Sequence, residues 1–109
     1  MNKISLDAVS REQRKKAAAT GSGRAAETVY GGHEKTLRQT VIGMVAGAEL
    51  TEHENPGEAT VLVLSGRVQL KSGETSWDGR DGDLLVVPDA RHSLLAVEES
   101  AVLLTVAKR

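Results

Sequence analysis

Three histidines, His33, His53 and His92, are the side chains of this sequence best suited to hold a ligand or move a proton near neutral pH. There is no cysteine, which removes disulfides, thiolate metal sites, iron–sulfur clusters and cysteine nucleophiles together. Two histidines begin a His-Glu pair, at 33–34 and 53–54. Neither pair continues into the metalloprotease helix pattern, because Leu37 and Gly57 stand where the second histidine would fall. Ser65 precedes a glycine, but Val63 breaks the G-x-S-x-G elbow of a serine hydrolase. Gly21-Ser22-Gly23-Arg24-Ala25-Ala26 fits a loose dinucleotide fingerprint. That fingerprint needs a strand before it and a helix after it, and the order here is reversed, so the stretch reads as a turn. The carboxylates of Asp81-Gly82-Asp83 and Glu98-Glu99 fall in turn clusters, where solvated charge is expected.

Composition narrows the partner classes. A chain of 109 residues accommodates one domain with one core. Fourteen basic residues stand against fifteen acidic ones, and the only aromatic side chains are Tyr30 and Trp77. A binder of phosphate backbone is normally basic, and a single-strand binder stacks bases on aromatic rings, so nucleic acid is not an expected partner. The longest apolar runs, 61–64, 84–87 and 101–104, are too short to span a bilayer, so no membrane partner is expected. The first seven residues lack the apolar centre of a signal peptide, and with no cysteine the expected location is cytoplasmic.

The elements that must position these histidines fall into two parts. Residues 5–19 are rich in helix formers, with Ser5 or Asp7 as cap and Gly21 as stop. The apolar stripe of Leu6, Val9 and Ala17 is thin, so the spacing predicts an arm on a larger body. Its basic cluster, Arg11, Arg14, Lys15 and Lys16, reads as a solvated face. From Ala25 onward short β-rich runs alternate with tight turns: 27–30, 36–46, 60–64, 67–71, 75–77, 84–87, 93–97 and 101–107. About eight strands at regular spacing, with no helix between them, predict an all-β sandwich or barrel. The division expected is 1–23 for the helical arm and 24–109 for the barrel.

Two glycine-anchored segments add a resemblance. Gly47, His53 and Gly66 on one side, and Gly82, Pro88 and His92 on the other, resemble the paired motifs of the cupin family, small jelly-roll β-barrels. The resemblance runs over roughly residues 36 to 106. In the family's typical pattern the first motif supplies two histidines and a glutamate to a metal, and the second supplies a third histidine. Here His53 stands at the first ligand position, Asn55 at the second, and Ala59 where the glutamate is expected. His92 comes one residue before the expected register, which Ser93 occupies, and Ala90 replaces the second motif's glycine. The resemblance also implies a homodimer.

The metal reading takes His53 and His92 as ligands of a divalent ion. A catalytic ion wants about three protein ligands and an open position, and Glu58 is the carboxylate candidate for the third. Counted as an even strand, Glu58 faces away from His53 and Ala59 unless Pro56-Gly57 resets the count through a bulge or turn. Two functional readings follow. In the first, a small molecule binds in the barrel mouth, with His53, Asn55 and His92 as polar contacts and Val61 and Val63 lining an apolar cavity. In the second, the protein is a metal-dependent enzyme of oxygenase or isomerase type that uses His53 and His92. A third reading is a homodimer whose pocket is vestigial, with an edge strand near residues 27–30 added to the partner's sheet. His33, beside Gly31-Gly32, reads as an exposed turn residue unless the arm folds back over the mouth.

Overall fold

The computed structural model describes residues 3–53 and 57–108. Ser5 opens the helix α1 (Leu6–Ala18): its hydroxyl accepts from the Ala8 amide at 3.2 Å, as an N-cap does. The helix stops two residues before the expected Gly21, with Ala19 as its C-cap. Nine strands follow among the described residues: β1 (Arg24–Gly31), β2 (Leu37–Met44), β3 (Glu49–His53), β4 (Gly57–Ser65), β5 (Arg67–Ser72), β6 (Thr75–Arg80), β7 (Leu84–Val86), β8 (His92–Ala96) and β9 (Ser100–Lys108). They form two antiparallel sheets, ordered β1-β2-β9-β4-β7 and β3-β8-β5-β6. The sheets face one another without a hydrogen-bonded seam, so the all-β jelly roll expected from the sequence is an open sandwich rather than a closed barrel. No described helix is long and apolar enough to cross a membrane.

Alternation builds the core. Along β4 the residues Ala59, Val61 and Val63 turn inward while Glu58, Thr60 and Leu62 turn outward. Val68 and Leu70 of β5, Leu94 and Ala96 of β8, and Ile42, Val102 and Val106 complete one apolar cluster between the sheets.

The helix lies on the outer face of the five-stranded sheet and buries Ser10, Gln13 and Ala17 rather than its larger apolar residues. The reason is proximity. A side chain on Gly43 of β2 would meet the Gln13 backbone at 2.4 Å, so helix and strand approach backbone to backbone. Only small or flat side chains fit such a seam. Gln13 also donates from Nε2 to Glu27 at 3.2 Å, tying helix to β1. The basic cluster is largely neutralised at the surface: Arg11 pairs with Asp7, Lys16 with Glu12 at 3.0 Å, and Arg14 with Glu99 at 3.7 Å.

Candidate functional site: the histidine end of the sandwich

β8 begins at His92, and its alternation turns His92, Leu94 and Ala96 inward. His92 is only 7% exposed. Its Nδ1 lies 3.0 Å from the Ala90 carbonyl oxygen. A carbonyl can only accept, so Nδ1 carries the hydrogen of this bond.

The other histidine arrives on β3, a strand absent from the sequence expectation. β3 pairs with β8 through Glu49↔Leu95 and Leu50↔Leu94, and after a register shift His53 is the strand partner of His92. The backbone thus brings together the two histidines the sequence singles out. Asn55 lies outside the described residues, as does the ring of His53.

Beneath His92 the inner faces leave a hollow of about 30 Å³, lined among others by Ile42, Leu50, Val61, Val87 and Leu104. That volume suits about one water molecule, so the interior of the sandwich is filled by side chains. Val61 lines this hollow. Val63 lies deeper, fully buried against Gly79 of β6. Glu58 is exposed on the outer face of β4, opposite Ala59, so the register from Gly57 onward does not bring its carboxylate to His92. It lines a larger groove of about 470 Å³ outside the sandwich, with Thr60, Val86 and Asp89. His33 is exposed in the turn between β1 and β2, and α1 lies over the outer sheet face.

One residue escaped the sequence reading. On β2 the inward positions run Met44, Ile42, Thr40, Arg38, since Arg38 pairs with Val106, which pairs with Ala59, and both partners are core residues. The direction of that row is fixed. Ala96, the far end of β8, hydrogen-bonds Gly47 and Ala48 just beyond Met44, at 2.7 and 2.9 Å. His92 therefore sits at the opposite end, which is the end of Arg38. Counting every second residue outward from Ile42 would have found it.

No family model and no curated protein sequence matches the chain. Solved structures do. A conserved protein of unknown function from Streptococcus pyogenes is 28% identical, with a TM-score of 0.73 over 83% of this chain and 78% of its own. An RmlC-like cupin protein from Desulfovibrio desulfuricans is 27% identical, with a TM-score of 0.67 over 77% of this chain and 81% of its own. The chain has the fold of a small cupin. A salicylate 1,2-dioxygenase from Pseudaminobacter salicylatoxidans superposes on 92% of this cupin with a TM-score of 0.76. At 18% identity, and with only 33% of the dioxygenase covered, that likeness is one of fold.

The fold explains where this cupin departs from the family pattern. Ala59 stands at the glutamate position and does face inward, but it offers a methyl group in a core row. His92, not Ser93, is the inward residue at the start of β8. The motif glycines Gly47, Gly66 and Gly82 all have positive φ. At Gly66 a side chain would also meet the Glu99 carbonyl at 2.3 Å, so the residue closes a crowded turn.

Proposed function

We propose that this cupin binds a small organic molecule at the open end of the sandwich, beside His92. The observation that carries the reading is a buried imidazole bordering an apolar hollow, in strand register with a second histidine. Convergent polar groups over an apolar floor orient a small ligand. The 30 Å³ hollow is too small for an organic substrate, so the ligand rests across the mouth with no more than a methyl-sized group dipping inward.

The metal-dependent reading asks more of the side chains. A catalytic ion takes about three protein ligands. Among the described residues no three His, Asp or Glu side chains gather where they would hold an ion. Glu58 faces outward and Ala59 supplies no donor. The described donors therefore do not fit a resident metal, and we derive no reaction step through one.

Elemental analysis of unsupplemented protein separates the two readings. Metal well below one ion per chain, with a melting temperature unmoved by chelator, is the expected result. A stoichiometric first-row metal that disappears in the His53→Ala, His92→Ala double variant would overturn the binding-module reading in favour of the enzyme.

A further inference from the structure

Arg38 gives the mouth a charge that the histidines alone do not. Its neighbours across the sheet are Val106 and Ala59, so its stem leaves β2 on the core side, at the end where His92 and His53 pair on the opposing sheet. Arg38 is half-buried, the exposure of an arginine whose stem covers apolar surface while its charged head stays in water. Lys108 of β9 is the next inward position after Val106 and pairs with Gly57; its ammonium donates to the Gly32 carbonyl at the same end. Among the described residues no carboxylate shares this inner row, and no ion pair engages Arg38. The nearby acids Glu58 and Asp89 line the groove on the outside. Among the described residues charge is thus divided, with Arg38 and Lys108 on the inner rows and Glu58 and Asp89 on the outer groove.

We infer that the ligand of this mouth is a small carboxylate: the Arg38 guanidinium takes the carboxylate group, His92 takes a polar neighbour, and the apolar part lies over the hollow lined by Leu50, Val87 and Leu104. The inference rests on the small-molecule reading above and adds the ligand's class. A guanidinium presents a planar fork of donors that matches one carboxylate with two parallel hydrogen bonds. The hollow beneath favours an anion with a short hydrocarbon body over a bare inorganic one.

The test uses acetate, butyrate and benzoate, each beside its neutral amide, titrated into the full chain and followed by the backbone and ring resonances of residues 38 and 92. At least one carboxylate is expected to move both sets, with its amide weaker by about tenfold or more, as a lost charge-assisted hydrogen bond requires. Arg38→Gln is expected to remove that preference and Arg38→Lys to keep part of it. Comparison of acid with amide on the unaltered chain needs no variant to fold. Equal binding of acid and amide overturns the carboxylate assignment while the small-molecule reading stands. Inorganic phosphate that binds tighter than every carboxylate overturns it too. Resonances of His92 that no probe moves overturn both.

Discussion

His92 owes its place to a strand boundary. Its ring is inward because β8 starts there, and the Ala90 carbonyl holds Nδ1, so the ring is fixed before any ligand arrives. His92→Ala would enlarge the hollow and leave that carbonyl without its donor. The expected loss is about 2 kcal/mol of unfolding free energy, read by denaturant titration. Glu58 illustrates the opposite case. Parity already placed it on the far side of β4 from Ala59, and the structure keeps it there, exposed. Glu58→Gln is expected to leave stability within about 0.5 kcal/mol and ligand binding unchanged. A variant that lost binding would contradict the placement. The histidines were legible because the type is rare and they fall at or one residue from the positions that Gly47, Gly66, Gly82 and Pro88 mark out. Arg38 was not, because a lone arginine in a strand reads as surface until its register partners are known to be core.

Among the elements, β3 and β6 show where pattern reading stops. Thr51-Glu52-His53 carries little hydrophobic alternation, and Leu50 is the described β3 side chain that packs against the core cluster. Backbone pairing to β8 makes it a strand, and pairing leaves no signal in composition. The β-rich run expected at 75–77 stops short of Asp78-Gly79-Arg80, yet β6 runs through them. Gly79 packs closely in that strand: Leu85 and Val63 approach to 3.0 and 3.1 Å of where its side chain would be. The helix tells the same story from the other side: its thin apolar stripe predicts an arm on a larger body, and small side chains let it sit directly on β2. Gly43→Ala is therefore expected to push α1 outward and cost about 1–3 kcal/mol, seen as a lower melting temperature. A neutral Gly43→Ala would mean that the helix is not seated on the strand.

For the molecule as a whole, the outer edge of the larger sheet carries unusual exposure. Leu84 and Val86 of β7 are 59% and 73% exposed on an edge strand of three residues. Open apolar edges invite pairing. A homodimer is the assembly we propose, with this edge as the surface that a second copy covers. Val86→Lys is expected to bring the sedimenting mass down to that of one chain, and unaltered protein already at that mass would contradict the dimer. The sandwich itself was readable because eight of the nine described strands announce themselves by alternation and turn residues. The count of two sheets and the open seam between them are matters of pairing, which no single run of residues encodes.

The central proposal is that a ligand binds at the end of the sandwich where His53 and His92 are strand partners. Ring resonances of histidine-labelled protein, followed during titration with the carboxylate that binds tightest, test it most directly. We predict that both rings shift together along one saturation curve. Rings that respond with different affinities, or a His92 ring that stays still while the ligand binds elsewhere, would contradict the account.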